Sequence, residues 1–447
     1  VTRRAKAFAR LTPYECRALT PQVLRCAVHA LASSRDLPLR DVLLSESIPE
    51  DARAVFAEGL AEESAFALPT SVLFPDTEYP VVTEFMGDGQ RCAIQSEGPE
   101  QLSALADAFS SPSELREELR AGGFLEALSP QDPLSIRLRR PGVHRLQHAS
   151  LLFNTESTSV ITDPNLSYAN PQQWLGLRHY PEVDAILISH SHQDHFCLAS
   201  LLQFPRSTKI VVPVVKRPSM LCPPMAKLLR DAGFTDVVEA PWHSELSVGD
   251  IHIAVYPFYG EQPWLSSPAP VPELRNHGNT YVITAGGIRT WVLIDSGREY
   301  GHAMVDECDA VRKRHGHIDV LLSNMRIFGW HPGQIDGSGR YLFCFPKDFV
   351  ASPDRWPGGQ CITLGPDGIR EIIDRLKPTC FLPYAHWWHP PEKKSHLVDN
   401  SYTESELLDR VQSAPSTVVL RTHLLRWHVA DLLQLRDGEV HIEPYCA

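Results

Sequence analysis

Ser189-His190-Ser191-His192-Gln193-Asp194-His195 is the stretch that decides how this chain is read. It follows a largely apolar segment, Val183 to Ile188. Such a run predicts a buried strand that ends where the polar residues begin. The loop at its end then presents four potential metal ligands together: His190, His192, Asp194 and His195. On one turn they can hold two metal ions side by side. A surface histidine cluster would not require the apolar lead-in.

Bulk properties set the frame. The chain has 447 residues, 43% of them hydrophobic, enough for roughly two or three domains with a large core. The formal charge of -12 argues against a general nucleic-acid or anionic-membrane binder. No apolar run reaches the length of a membrane span. The opening Val1-Thr2-Arg3-Arg4-Ala5-Lys6 is basic, but no apolar core follows it as in a secretory signal. The 10 cysteines are scattered, with no CxxC pair, and suit reduced thiols in a cytoplasm. Cys197, beside the ligand loop, reads as a small buried hydrophobe or as a further ligand. Oligomeric state is not legible.

Working outward, the 37 prolines predict many irregular connections. Residues 1 to about 66 read as helical, with apolar positions at helical spacing in Pro21 to Ala32 and a second helix over Pro49 to Leu60. Short strands are expected at Ser71 to Phe74 and Gln90 to Gln95, and helices at Pro99 to Phe109 and Ser113 to Ala121. Residues 1–130 thus form an expected α+β domain, a candidate docking module for a carrier protein or peptide. A break falls at Ser129-Pro130-Gln131-Asp132-Pro133. Residues 135–447 form the second expected domain. Its strands are predicted at Ser135 to Leu138, His144 to Leu146, Ser150 to Phe153, Ser159 to Thr162, Ala185 to Ile188 and Lys209 to Val212. More follow at Ile251 to Tyr256, Tyr281 to Thr284, Thr290 to Ile294 and Val320 to Ser323. Helices such as Met304 to Arg314 and Gly368 to Leu376 lie among them. This order predicts an α/β fold of stacked sheets with helices outside.

Three segments taken together resemble the metallo-β-lactamase superfamily: Gln147-His148-Ala149-Ser150-Leu151-Leu152-Phe153, Ile161-Thr162-Asp163-Pro164 and the HSHQDH loop. The resemblance covers about residues 135 to 395 and implies an αββα sandwich with a dinuclear metal site. It further implies a bridging Asp after a strand, matched by Asp295 in Leu293-Ile294-Asp295-Ser296-Gly297. A last ligand His is matched by His386 in Phe381-Leu382-Pro383-Tyr384-Ala385-His386. Where the family commonly has a His past the strand Ile251 to Tyr256, this chain reads Pro257-Phe258-Tyr259-Gly260-Glu261-Gln262-Pro263. Glu261 is the ligand expected there, and His277 is the alternative. One metal then takes His190, His192 and Glu261. The other takes Asp194, His195 and His386, with Asp295 between them.

Two-His, one-carboxylate sets suit non-haem iron and oxygen activation. The Glu-for-His pattern resembles the diiron oxygenase branch, that of the chloramphenicol-pathway β-hydroxylases and, through Asp163-Pro164-Asn165-Leu166 and the Trp174 region, the CMP-sialic acid hydroxylases. The resemblance implies two iron ions, O₂ as co-substrate, and an amino-acid-derived substrate, free or carrier-bound. An external electron donor is required, since the chain has no flavin or iron–sulfur motif. If His277 is the ligand instead, the expectation becomes a zinc or manganese hydrolase acting on a lactone, amide or phosphodiester.

Around the ligands, His148 is expected beneath the metals or as a core histidine. Asp163 orients the HSHQDH loop or makes a turn. Glu261, Asp295 and Tyr259 are the candidate catalytic residues, with Tyr259 lining the oxygen pocket or packing at a strand end. Arg298, Glu299, Tyr300 and His302 face substrate or solvent. Trp387, Trp388 and His389 form an aromatic wall or pack in the core. Phe328 to Phe349, with Gly329, Gly333, Gly337 and Gly339, reads as an insertion above the site. No phosphate loop and no GxSxG nucleophile elbow is present.

Overall fold

The computed structural model describes residues 81–87, 90–96, 125–127, 133–165, 179–192, 194–201, 204–219, 221–262, 273, 275–327, 361–385, 402–436 and 439–445. The helices expected before residue 66, at Pro99 to Phe109 and at Ser113 to Ala121 lie outside these residues. So do the strand expected at Ser71 to Phe74, Trp174, the Phe328 to Phe349 insertion, and His386, Trp387, Trp388 and His389. In the N-terminal part, β1 (Val81–Gly87), β2 (Gln90–Ser96) and β3 (Leu125–Ala127) form an antiparallel sheet.

The rest is a sandwich of two sheets. The strands in chain order are β4 (Gly142–Arg145), β5 (Leu151–Asn154), β6 (Ser159–Thr162), β7 (Ala185–Leu187), β8 (Lys209–Pro213), β9 (Val237–Ala240), β10 (Glu245–Val248), β11 (Ile251–Pro257), β12 (Asn279–Ala285) and β13 (Ile288–Ile294). After the hairpin of β14 (Arg298–Glu299) and β15 (His302–Ala303) come β16 (Val320–Ser323), β17 (Cys380–Pro383), β18 (His423–Leu424), β19 (Leu432–Arg436) and β20 (Glu439–Glu443). One sheet runs β20-β19-β4-β5-β6-β7-β8-β9 and the other β10-β11-β12-β13-β16-β17-β18.

Side chains alternate across each strand, and in central strands such as β5, β6, β13 and β16 nearly every residue on both faces is buried. In β11, Ile251, Ile253 and Val255 point between the sheets, while Ala254 and Tyr256 point outward. In β13, Val292 and Ile294 point inward, and Trp291 and Leu293 outward. The inner residues meet Leu151, Phe153, Leu187 and Val211 of the first sheet in one core. Parallel neighbours need crossovers, and these carry the outer helices. Leu198 and Leu201 of α2 (Leu198–Leu201) and Met225 and Leu229 of α3 (Met225–Asp231) cover the first sheet. Beneath the second lie α4 (Cys308–His315), α5 (Gly365–Leu376) and α6 (Glu404–Ser413). Helix α6 opens on a capping box: Thr403 Oγ1 accepts from Glu406 N at 3.2 Å, and the Glu406 carboxylate accepts from Thr403 N. The result is the expected α/β fold with an αββα layering.

One expected strand is a helix. Ser135 to Leu138 belongs to α1 (Pro133–Leu138). Ile136 and Leu138 alternate as in a strand, but Ile136 is 52% exposed. The residues that pack on the core are Leu134 and Leu138, four apart, and Pro133 suits a first helical turn. The helix expected at Met304 to Arg314 is a 3₁₀ turn, Met304–Glu307, leading into α4. Among the described residues, no helix is long and apolar enough to cross a membrane.

Candidate metal centre

The ligand loop leaves the first sheet at the carboxyl end of β7, and Asp163 at the end of the neighbouring β6 anchors it. Asp163 is fully buried and held at φ 39°. Its carboxylate accepts from Ser189 N at 2.7 Å, from Ser189 Oγ, and from His195 Nδ1 at 2.9 Å. Ser189 Oγ in turn accepts from His190 Nδ1 at 2.9 Å. One buried carboxylate therefore fixes two rings, and both turn Nε2 toward the centre. His195 Nε2 reaches Asp295 Oδ2 at 2.8 Å and His190 Nε2 reaches Glu261 Oε2 at 3.2 Å. His192 uses its other nitrogen: Nδ1 lies 3.1 Å from Glu261 Oε2.

Two residues come from the second sheet. Glu261 follows β11 and Asp295 follows β13, so both sheets empty their loops onto one edge. The two sheets are joined there: Asn279 N donates to Ser189 O at 2.7 Å, and the Tyr281 side-chain hydroxyl to Ile188 O at 2.6 Å. Three overlapping groups have ligand atoms within 4.8 Å of one another: His190, His192 and Glu261; His190, His195 and Asp295; and His148, Asp194 and His195.

The charges are those of a cation site. Burial pushes the Glu261 carboxyl up to about 7, with the nearby Asp295 adding to the rise and His192 opposing it. Burial would also raise Asp194, but His195 and the His148 hydrogen bond hold it well below the carboxylate range. Asp295 is likewise held down against burial, by His195 and Asn324. His195 stays well above the ordinary imidazole value despite burial, because Asp194, Asp163 and Asp295 surround it. Three carboxylates crowded among imidazoles are the donor set a divalent cation takes. The residues present fit metal ions.

The other expected residues are placed as follows. His148, at φ 53°, sits 3.1 Å through Nε2 from Asp194 Oδ2. His277 is buried away from the cluster, with Nε2 3.1 Å from Glu273 O, and burial lowers it to about 4. The hydroxyl of Tyr259 donates to Glu307 at 3.3 Å, and its ring stacks on His302 at 5.0 Å. Arg298 pairs with Glu371 at the surface, and Tyr300 is 49% exposed. Neither is joined to the cluster by a described contact. Glu299 turns inward onto Arg275. Cys197 Sγ accepts from Ser200 Oγ at 3.1 Å within the start of α2 and belongs to none of the three groups. His386 and Trp388 lie outside the described residues.

Sequence reasoning missed the amides. Asn276 Nδ2 lies 3.3 Å from His192 Nε2, and Asn276 Oδ1 accepts from Ser191 Oγ at 3.1 Å. Asn324 Nδ2 donates to Asp295 Oδ1, and Asn165 Nδ2 to Asp194 O at 2.8 Å. Each orients a loop or a ligand. The available signal was an Asn within three residues of a strand end, which is also ordinary turn chemistry.

Comparison with known proteins agrees with this geometry. A match to the beta-lactamase superfamily domain spans residues 158–387, more than half of the chain. A curated relative from Streptomyces venezuelae is the 3-hydroxylase of 4-amino-L-phenylalanyl groups on the CmlP peptidyl-carrier protein. It is 27% identical over 290 residues, 62% of this chain and 51% of the relative. The match therefore spans about half the length of that relative. Among solved structures, CmlA, a diiron beta-hydroxylase from Streptomyces venezuelae, superposes with a TM-score of 0.55 at 19% identity, covering 99% of this chain and 94% of the other. A mutant of the CmlA beta-hydroxylase superposes with a TM-score of 0.54, also at 19% identity, covering 92% of this chain and 94% of the other. At this identity the superpositions establish the fold.

Proposed function

The chain belongs to the beta-lactamase superfamily, and from that membership we propose that it is a dinuclear non-haem iron oxygenase. It hydroxylates an amino-acid-derived substrate held on a carrier protein. The carrying observation is the seat of Glu261: its Oε2 lies 3.2 Å from His190 Nε2 and 3.1 Å from His192 Nδ1. That completes a two-His, one-carboxylate set, a pattern suited to iron that activates oxygen. The relative that hydroxylates a carrier-bound amino acid supports the same reading.

His190, His192 and Glu261 would hold one ion. Asp194 and His195 would hold the other, with His386, and Asp295 would serve as a further ligand. When bound, the iron pair supplies the redox chemistry that activates O₂. Overall, one oxygen atom of O₂ would enter a C–H bond of the substrate and the other would leave as water, so an external donor must provide an electron pair and solvent two protons. The protein's own part is orientation. Asp163 and Ser189 fix which ring nitrogens of His190 and His195 face the metals, Asn276 Oδ1 holds Ser191 of the ligand loop, and Asn324 holds Asp295. Residues 1–130 dock the carrier, and residues 135–447 form the catalytic domain.

The test is metal analysis of protein from cells grown without added metal, followed by turnover. Iron bound as a pair, a ferric absorption band, and O₂ consumption that needs both a reductant and a carrier-loaded amino acid are expected. Zinc alone, with hydrolysis of a lactone, amide or phosphodiester, would overturn the reading in favour of a hydrolase.

A further inference from the structure

The backbone that delivers Glu261 to the histidines takes uncommon angles. Gly260 has φ 111° and Glu261 has φ 48°. A non-glycine residue in that region persists where its surroundings hold it. Two of the turn's backbone groups, Phe258 O and Gly260 N, are taken by one ion pair. Arg275 and Glu299 form a two-armed fork, Nη1 to Oε1 at 2.9 Å and Nη2 to Oε2 at 2.7 Å. The arginine's Nη2 also donates to Phe258 O at 3.1 Å, and the carboxylate's Oε2 accepts from Gly260 N at 3.4 Å. The pair thus grips a carbonyl and an amide on either side of Tyr259, just ahead of Glu261. Both side chains are largely buried, at 17% and 7% exposure, and the guanidinium lies 5.3 Å from the centroid of the Trp242 ring. Glu299, in β14, follows the loop that carries Asp295, and Gly297 N of that loop donates to Tyr259 O. No atom of the fork belongs to the ligand cluster.

We propose that the Arg275–Glu299 pair is a positioning device for Glu261, so that metal occupancy at His190 and His192 depends on a salt bridge that touches no ligand. The planar fork matters as much as the charge. A guanidinium can serve a carboxylate with two arms and still reach a carbonyl, which an ammonium does not do in one geometry. Releasing the fork lets the Phe258–Gly260 turn relax toward common backbone angles. That withdraws the carboxylate from the two imidazoles and leaves His195, Asp295 and Asp194 where Asp163, Asn324 and His148 respectively keep them.

This rests on the two-metal reading but not on which metal is native, so cobalt(II) serves as the probe. Wild type, Arg275→Met and Glu299→Gln are titrated with cobalt(II) while the visible band of each site is followed, and thermal melts are recorded in parallel. Wild type is expected to bind two ions. In both variants one site weakens by about tenfold to a hundredfold and its band fades, while the other keeps wild-type affinity. Arg275→Lys, which retains the charge and the fold, is expected to give an intermediate loss at the same site. A purely structural salt bridge would lower the melt or weaken both sites together. That outcome, or two unchanged sites in the variants, overturns the positioning role. If the methionine and glutamine variants do not fold, unchanged cobalt binding by Arg275→Lys overturns it. A wild-type chain that binds fewer than two ions overturns the dinuclear reading itself, and the positioning role with it.

Discussion

Asp163 Oδ2 and His195 Nδ1 meet at 2.9 Å, and neither side chain is exposed to solvent. The same carboxylate also accepts from the backbone and the hydroxyl of Ser189. Asp163→Ala leaves these donors buried without their acceptor. A loss of about 3–5 kcal/mol of stability is expected in urea melts, with metal affinity lowered by about tenfold to a hundredfold. Asp163→Asn keeps one acceptor oxygen, so it should recover much of the stability and less of the metal affinity. Wild-type metal binding in the alanine variant would remove Asp163 from its orienting role.

His144 gives a pH prediction well away from the ligands. Its side chain is fully buried, and Nε2 lies 2.8 Å from Arg140 O. Burial drives the imidazole down to about 4, against the hydrogen bond to Arg140, which raises it. The unfolded chain therefore takes up a proton near pH 6.5 that the folded chain refuses until about pH 4. The stability at stake is fully present above pH 6.5 and is lost as pH falls toward 4. It amounts to about 3 kcal/mol, since each pH step across that window is worth about 1.4 kcal/mol. The difference between wild type and His144→Gln in urea melts should follow that slope. A pH-independent difference would show that the buried imidazole does not set it.

Gly260 cannot take a side chain. A Cβ there would lie 2.6 Å from Ile362 O and 2.7 Å from Gly297 N, at φ +111°. Gly260→Ala should cost at least about 2 kcal/mol and displace Glu261. Gly286, also at positive φ but with nothing within 4 Å, is the control; its alanine variant should cost only about 1 kcal/mol. Equal melting shifts for the two would remove close packing as the reason for a glycine at 260.

Docking by residues 1–130 is tested by deletion. The truncated chain should keep its metal content and lose turnover on a carrier-bound amino acid. Unchanged turnover would assign carrier recognition to residues 135–447.

The sandwich was readable because strands buried on both faces leave apolar-rich runs, as in Ile251 to Tyr256, broken only by His252, and Thr290 to Ile294. Their loops carried HSHQDH and Asp295 at the ends where such residues gather. The misread piece, Ser135 to Leu138, shows the limit: over four residues a period of two and a period of four look alike until burial selects Leu134 and Leu138. The capping box at Thr403 was present in the sequence as Thr403-Glu404-Ser405-Glu406 and went unused. The pairing of β19 with β4 joins segments far apart in the chain, which local pattern does not encode. At the centre, residue types at strand ends suggested Glu261 or His277, and the turn geometry separates them: Glu261 faces the imidazoles and His277 faces Glu273 O. Arg275, Gln262 and Asn276 were invisible for the same reason. Arg275 meets Glu299 and Phe258 O, Gln262 meets Gly260 O and Asn276 O, and Asn276 Oδ1 meets Ser191 Oγ, pairings set by a turn whose shape sequence does not reveal.

His190, His192, Asp194 and His195 hang from one layer of the sandwich, Glu261 and Asp295 from the other. A bound ion is therefore a rivet through the seam, and its binding energy is also adhesion between the halves of the molecule. Stripping the metal should loosen the layers at that rim first, with amides beside Ser189 and Asn279 the earliest to exchange. A cell short of the ion would hold a protein that is less durable as well as idle.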